Sequence, residues 1–293
     1  MVTVSHQVAA TTASEGHPTR PARLLIGWLP PTALAGPTPG TVSAIDPTQM
    51  RAAAAAVAAR APGVEQSGII SEVGSDLAEH VNALQSHQLF QDFVAEGGWS
   101  VKLVDLTRVC GFQLLVHIDH AEDRAAVAVI GDMPSIAEVT LPIGKTVEKP
   151  EAYFDAGAGA WIVASRNPNF RILQQIEALA QSQDGRTVSM YGFIVAPSLS
   201  FVQVIKYRGR YMLRDGYHRS VGLLARGVTT APVLYKEYGD FADLGVGMTV
   251  EPASRERPPL LPDYLNDEVS VLFQHPASQR MIVISGMQLT PLG

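Results

Sequence analysis

The segment from residue 201 to residue 235 constrains the fold of this chain more than any other part of the sequence. Two strand-like runs, 201–207 and 211–213, flank Arg208-Gly209, and such a dipeptide between two such runs predicts a hairpin. Asp215-Gly216 predicts a sharp turn, after which residues 217–226 predict a helix that ends at Gly227. Residues 231–235 predict a further strand. The order strand, turn, helix, strand predicts an α/β (α+β) protein with a mixed sheet.

The Asp215-Gly216 turn brings chemically useful side chains to the start of that helix. Glycine allows a positive φ and lets a ligand approach the backbone closely. The first N–H groups of a helix have no intrahelical acceptors and carry the positive end of the dipole, which favours a phosphate. His218 and Arg219 would add donors, while Asp215 would cap the helix, hold Arg219 or bind a metal. An ordinary cap with solvent-facing His218 and Arg219 is the alternative that this pattern leaves open.

The ordered motifs of this region resemble the core of the ParB/sulfiredoxin superfamily. The resemblance spans residues 160–237, and it is carried by residues 167–171, 176–182, 209–219, 223–228 and 232–234. It implies a ParB/sulfiredoxin-like, nucleotide-binding fold. Members include CTP-hydrolysing DNA clamps, ATP-using sulfinic-acid reductases, a free-serine kinase, and Asp-Gly-x-His-Arg proteins linked to DNA modification. By this likeness Gly216, His218 and Arg219 would hold phosphates, and Asn167 and Arg171 would lie across the same cleft.

Two departures from the family pattern narrow the expected chemistry. Tyr217 stands where sulfiredoxins carry a cysteine, and the only thiol of the chain, Cys110, lies outside the matched region. Segregation ParB proteins place Glu-Arg-Arg after the glycine, whereas this chain has Tyr217-His218-Arg219. The tail after residue 240 also predicts proline loops and strands instead of a helix-turn-helix. We therefore expect neither sulfinic-acid reduction nor DNA clamping.

Composition and turn residues predict four regions along the chain. They are an irregular N-terminal arm over 1–45, a helix-plus-strand region over 46–150, a ParB/sulfiredoxin-like domain over 151–240, and a Pro-rich C-terminal extension with short strands over 241–293. In the second region, Asp46-Pro47 predicts the start of an alanine-rich helix, and Ser75 predicts the start of another. Strands are predicted over 101–109, 112–118 and 125–130, followed by a proline-rich loop that contains Pro134.

The third region begins with a predicted strand over 161–164 and a turn over 166–169. Ile172, Ile176 and Leu179 then recur at helical spacing and predict a short amphipathic helix. Further along, Leu224 is predicted on the core-facing side of the helix that begins at residue 217.

Two other motifs are interpreted as structural. His117, Asp119 and His120 are expected on a strand, where His120 would point away from the other two, so we predict a satisfied strand histidine and no metal site. Gly144-Lys145-Thr146 is similar to the end of a P-loop, but the required glycine five residues before Gly144 is a valine.

Overall composition limits the location and the partners. The 293 residues carry a formal net charge of −6, which argues against autonomous DNA binding through charge alone. No apolar run approaches the ~20 residues needed to span a bilayer, and the start of the chain lacks a basic-then-apolar leader pattern, so the expected location is the cytoplasm.

Three functions are compatible with these features. The first is a nucleotide-dependent phosphotransferase or NTPase that uses ATP or CTP with Mg²⁺. There His218 would donate a hydrogen bond or a proton, Arg219 would stabilise phosphate charge, and Asp215 would orient Arg219 or Mg²⁺. The second is a non-catalytic interaction or structural protein that binds a protein partner or a second copy of itself. An accessory role in nucleic-acid modification is a further alternative.

Overall fold

The computed structural model describes residues 4–7, 18–30, 45–63, 67–144, 150–165, 170–181, 187–197, 200–240, 255–277 and 280–285. The chain divides into two compact units. The larger consists of Ala13–Gly144 and Ser200–Pro276, and the smaller of Met1–Thr12, Lys145–Leu199 and Ala277–Gly293. Helices combine with several sheets, which confirms the α+β class. Since the 145–199 segment interrupts the sequence of the larger unit, the region predicted as one domain over 151–240 is divided between the units.

The helices and strands have the following bounds in the described residues. The α-helices are α1 (Pro47–Ala59), α2 (Ala78–Gln85), α3 (Gln88–Ala95), α4 (Ile118–Ala125), α5 (Met133–Thr140) and α6 (Tyr217–Ala225). The strands are β1 (Val4–Gln7), β2 (Thr19–Leu24), β3 (Ile70–Ser71), β4 (Ser100–Asp105), β5 (Leu115–His117), β6 (Glu151–Asp155), β7 (Ala160–Ser165), β8 (Phe170–Gln181), β9 (Thr187–Pro197), β10 (Gln203–Tyr207), β11 (Arg210–Asp215), β12 (Thr230–Tyr238), β13 (Val271–Pro276) and β14 (Arg280–Ser285).

The main sheet of the larger unit has five strands in the order β11-β10-β12-β4-β3. β10 pairs antiparallel with β11 across the Arg208-Gly209 turn and parallel with β12, so the sheet is mixed. β4 pairs antiparallel with both β12 and β3. Helix α6 connects β11 to β12, and the strand–turn–helix–strand order predicted for this segment is therefore confirmed.

Both faces of this sheet are buried. Successive strand residues enter different cores: Leu213 packs in one core with residues of α4, α5 and α6, while Met212 packs in a second core with Trp99 and Phe201. Because side chains alternate across a strand, continuous apolar runs are needed when both faces are covered. This requirement explains the consecutive apolar residues at 204–205 in β10, 211–213 in β11 and 231–235 in β12.

A second sheet of the larger unit lies in the order β13-β2-β5, with antiparallel pairing throughout. Its central strand, β2, falls within the arm that the sequence predicted to be irregular over 1–45. The partners of β2 come from residues 115–117 and 271–276, so nothing local to residues 1–45 indicates the pairing. The start of α1 is as predicted, because Asp46 accepts a hydrogen bond of 2.8 Å from the N–H of Thr48.

Three local predictions between residues 112 and 140 are wrong. The strand expected over 112–118 covers only Leu115–His117, because α4 begins at Ile118. The strand expected over 125–130 is instead the end of α4 and a turn, because Ala125 belongs to the helix face that packs against α6. The proline-rich loop contains α5, whose first turn accommodates Pro134 because no intrahelical partner is required for its missing N–H.

The smaller unit contains a four-stranded antiparallel sheet in the order β1-β14-β7-β6 and a hairpin of β8 and β9. The predicted helix around Ile172 and Ile176 is wrong, because these residues belong to β8. This segment has helical spacing and helix-favouring residues, but a long hydrogen-bond ladder with β9 outweighs them. The local sequence does not indicate this pairing, because β9 comes from a later stretch of the chain. The strand predicted over 161–164 is confirmed as part of β7.

In the part of the chain that is described, no helix combines the length and apolarity needed to cross a membrane.

Candidate functional site

The turn between β11 and α6 has the backbone conformation expected from its sequence. Gly216 has a φ of 100°, in the left-handed region that favours glycine, and α6 begins at the next residue. Asp215 Oδ1 accepts a hydrogen bond of 2.6 Å from the N–H of Gly216, so the carboxylate stabilises the turn itself. A Cβ at position 216 would lie 2.7 Å from Cγ2 of Val202, which is a second reason for glycine here.

Arg219 lies inside the protein, although the sequence predicted a phosphate contact at the start of the helix. Its side chain donates hydrogen bonds to Ser200 Oγ at 2.9 Å, to the Ser200 carbonyl, and to the Val139 carbonyl at 3.4 Å. The residue is only 7% exposed, and burial lowers the pKa of its guanidinium to about 10, so it stays charged at neutral pH. The structure therefore gives Arg219 the role of joining α6 to α5 and to the segment before β10.

The remaining predicted site residues are divided between the two units. Asn167 lies outside the described residues, and Arg171 is an exposed residue of β8 in the smaller unit. The helix that the family resemblance implied after Arg171 is a strand. Asp215, Gly216 and His218 are neighbours at the start of α6 in the larger unit, and they are the predicted site residues that the structure brings together.

Four histidines meet beside the first turn of α6, and we call His117, His120, His218 and His275 the histidine cluster. The His117 ring centroid lies 5.1 Å from that of His275, 5.8 Å from that of His218 and 6.1 Å from that of His120. His120 and His218 are 5.6 Å apart by the same measure, and the His117 and His218 rings are parallel within 2°. Nε2 of His117 lies 3.2 Å from Nδ1 of His275, so one imidazole donates to the other.

The elements of the larger unit explain why these four side chains meet. His117 ends β5 and occupies the N-cap position of α4, and His120 follows in the first turn of that helix. β2 lies between β5 and β13, with Ala22 opposite His117 and Arg20 opposite His275. The three-stranded sheet thus presents two of the histidines at one end, beside the starts of α4 and α6.

Close packing of α4 against α6 brings His120 towards His218. Gly222 of α6 faces Ala121 and Ala125 of α4. A Cβ at Gly222 would lie 2.7 Å from the carbonyl carbon of Ala121 and 2.9 Å from Cβ of Ala125, well inside normal contact. Only glycine permits the two helix backbones to come this close.

Burial keeps the cluster neutral near neutral pH. Burial first, and then the neighbouring His120 and His117, lower the pKa of His218 to about 3. Burial and the neighbouring His275 lower the pKa of His117 to about 4. Burial also lowers the pKa of His120 and of His275. Each neutral imidazole then has one N–H donor and one acceptor nitrogen.

One atom of the cluster lacks a partner. Nε2 of His218 is buried, and no hydrogen-bond partner for it exists within the described ranges. Leaving a buried polar atom unsatisfied costs about 1–3 kcal/mol, so such atoms in a folded protein need an explanation. A ligand that reaches into the cluster would provide the missing partner.

The charges that act on His218 favour an anion over a cation at this ring. The positive charges of Arg124 and Arg20 both act on His218 and help to lower its pKa. Arg20 also donates to Asp119 Oδ2, from Nε at 3.0 Å and from Nη2 at 2.8 Å, which fixes β2 to α4. The start of α6 adds the positive end of a helix dipole. Among the described residues, no three His, Cys, Asp or Glu side chains are arranged to hold a metal ion.

Sequence reasoning identified His218 but missed the other members of the cluster. His117 and His120 were predicted on one strand, where their side chains would diverge. In the structure α4 begins between them, and this change of backbone directs both towards α6. His275 is 158 residues from His117 and pairs with it only through the β13-β2-β5 sheet. The His-x-x-His spacing of His117 and His120 was the one local indication that these two rings lie close together, since residues three apart are neighbours on a helix.

We expect acid to destabilise the protein in a way that depends on the cluster. The unfolded chain protonates its histidines near pH 6.5, whereas His218 in the folded protein resists protonation down to about pH 3. The unfolded state therefore binds more protons, and the stabilisation is complete above about pH 6.5 and is lost as pH falls. His218 alone should account for on the order of 1–2 kcal/mol of unfolding free energy between about pH 7 and pH 5.

Urea denaturation at a series of pH values measures this slope. His218→Asn should make the curve shallower, whereas His87→Asn should leave it unchanged, because His87 lies outside the cluster at the N-cap of α3 and asparagine is a good N-cap. If the unfolding free energy depends on pH equally in the wild type and in His218→Asn, the histidine cluster is not the cause of the acid destabilisation.

Comparison of this chain with protein-family models, with curated proteins and with solved structures finds no match, so the ParB/sulfiredoxin resemblance stays a prediction.

Proposed function

We propose that the larger unit binds a phosphate-bearing ligand, a nucleoside triphosphate such as ATP or CTP with Mg²⁺, at the histidine cluster and the first turn of α6. The observation that carries this proposal is the buried Nε2 of His218, which has no partner in the described structure and lies among three further imidazoles. A phosphate oxygen within reach would accept a hydrogen bond from an imidazole N–H and remove the penalty of the unsatisfied atom.

The surroundings of the cluster support an anionic ligand. The N–H groups of the first turn of α6 have no intrahelical acceptors, and the left-handed Gly216 has no side chain to cover them. The positive charges of Arg20 and Arg124 act on His218, although Asp119 and Asp123 balance them over the cluster as a whole. In this proposal His218 donates a hydrogen bond to phosphate and Asp215 holds the turn, while Arg219 contributes only through the position of α6. The phosphate part of the ligand is therefore what the site recognises.

Thermal denaturation with a matched set of compounds tests the proposal. We expect ATP, CTP and inorganic triphosphate, each with Mg²⁺, to raise the melting temperature, and adenosine and cytidine to have no effect. A ligand at 100 times its Kd stabilises the folded state by about 2.7 kcal/mol, which is several degrees for a unit of this size. The shift should decrease in high salt, because the attraction is largely electrostatic.

Two variants separate specific binding from general charge effects. His218→Asn should lose most of the shift, and His87→Asn should keep it. If no phosphate-bearing compound changes the melting temperature, or if His218→Asn responds as the wild type does, the proposed site is wrong.

A further inference from the structure

We propose, on the basis of the phosphate site described above, that this site captures its anion together with protons: the histidine cluster is neutral when empty and becomes positively charged when an anion enters. The anion would therefore bind more tightly as pH falls. The inference depends on the proposed function, and it adds a regulatory property that phosphate recognition alone does not require.

The first support is the arrangement of the rings. Each member of the cluster has another imidazole as a close neighbour, at centroid distances from 5.1 to 6.1 Å. A proton on any of them repels a proton on the next, since like charges at this distance disfavour each other. Repulsion therefore disfavours a second proton once one ring is charged, and burial of all four rings disfavours the first, so the empty cluster stays neutral although an exposed imidazole titrates near pH 6.5.

The second support is the balance of the charged groups that face the cluster. On the side of α4 these are Asp119, Asp123 and Arg124, and on the side of β2 there is Arg20. The two carboxylates are thus matched by two guanidiniums, and Asp119 is already bound to Arg20 through two hydrogen bonds. These groups leave no surplus negative charge to hold a proton on an imidazole.

From the side of α6, Arg219 contributes little to this balance, because its donors are directed to Ser200 and Val139. From β13, the contribution is His275 itself, a member of the cluster. An entering anion would supply the negative charge that the cluster lacks.

The order in which the rings would take up protons follows from how strongly their surroundings disfavour the charged form. Burial lowers the pKa of His120 and of His275, but these two rings are not among those with the largest shifts. His117 and His218 are harder to charge, with pKa values of about 4 and about 3 in the empty site. We therefore expect the first proton on His120 or His275, and a second one only with a strongly charged ligand.

Thermodynamic linkage determines the direction in which anion affinity changes with pH. An anion pairs with the charged form of an imidazole and so raises its pKa. Between the pKa of the empty site and that of the filled site, binding is accompanied by net proton uptake. In this window the affinity should rise up to about tenfold for each pH unit of acidification per proton taken up, and above the window it should be independent of pH.

Calorimetric titration of the full chain with sulfate and with inorganic triphosphate measures this coupling directly. Sulfate is the essential probe, because it remains a dianion over this range and its own protonation cannot produce the effect. Each titration is run in two buffers of different ionisation enthalpy, from about pH 8 to about pH 6, with circular dichroism to confirm the fold. We expect about one proton to be taken up per sulfate near pH 6 and a correspondingly higher affinity there.

The variants identify the source of the protons. His275→Gln and His120→Gln should each reduce the number of protons taken up, while His87→Asn should leave it unchanged. Each variant is measured only at pH values where circular dichroism shows that it is folded. If a variant does not fold, the pH dependence of sulfate binding by the wild type still tests the inference.

The outcomes distinguish the two proposals. Sulfate and triphosphate binding with constant affinity and no proton uptake would overturn the inference and leave the phosphate site intact. Absence of binding by either anion at every pH would overturn the proposed function itself. Proton uptake that persists unchanged in both cluster variants would also overturn the inference, since the protons would then come from elsewhere.

Discussion

Replacing Gly222 with alanine is expected to destabilise the larger unit by about 3 kcal/mol or more. Gly222 lies where α6 crosses α4, and a Cβ there would fall 2.7 Å from the carbonyl carbon of Ala121 and 2.9 Å from Cβ of Ala125. The first obstacle is backbone, which cannot rotate away, so the helices must separate or bend. Helix propensity alone would make alanine more stable than glycine by about 1 kcal/mol. The steric clash with α4 outweighs this gain, so the net effect of Gly222→Ala is destabilising.

Urea denaturation measures the loss, and Gly144→Ala is the matched control, because a Cβ at Gly144 meets nothing within 4 Å. The control should be nearly neutral. Separation of the helices should also move His120 from His218, so residual folded Gly222→Ala protein should bind triphosphate weakly. If Gly222→Ala is as stable as the wild type, the close approach of α4 and α6 is wrong, and with it the geometry of the histidine cluster.

Arg219→Ala should destabilise the protein by about 2–4 kcal/mol without any ligand present. The change removes a buried guanidinium and the hydrogen bonds that it donates to Ser200 Oγ and to the carbonyls of Ser200 and Val139. A cavity where the side chain packed adds to the loss. The sequence predicted Arg219 at a phosphate site in the first turn of the helix, where the same substitution without a ligand would be almost neutral.

Arg226→Ala is the control, since Arg226 is an exposed arginine at the end of the same helix and donates one hydrogen bond, to the carbonyl of Ala128. It should cost less than about 1 kcal/mol. Arg219→Ala should approach the effect of Leu223→Ala, because Leu223 is fully buried. If Arg219→Ala is as stable as Arg226→Ala, Arg219 is not a structural residue, and its predicted role as a ligand contact would be supported instead.

On α6, neighbouring residues differ in whether they face the core or the candidate site. The sequence predicted Leu224 on the core-facing side; Leu224 does pack against the core but is only partly buried, whereas Leu223 is fully buried. Arg219 is buried inside the protein, while the adjacent His218 meets His117 and His120. Adjacent residues in one motif therefore have separate functions: one holds the helix in position, and the other belongs to the candidate site.

Local sequence was sufficient wherever short-range physics decides the structure. The Asp46 cap of α1, the Arg208-Gly209 hairpin turn and the left-handed Gly216 all follow from backbone and capping preferences within a few residues. The strand-like runs at β10 and β12 also predicted strands correctly, and both strands are largely buried. These features established the α+β class and the start of α6 as the place to look for a ligand.

Tertiary structure decided the features that depend on partners distant in the chain. Pairing with β9 made a strand of the helix-favouring segment around Ile176, and pairing with β5 and β13 made a central strand of β2. The histidine cluster depends on the same kind of contact, since His117, His218 and His275 come from three separate stretches of sequence. Hydrogen-bond ladders and helix contacts between such stretches outweigh local propensities of a few tenths of a kcal/mol per residue, and so they determine both the sheets and the site.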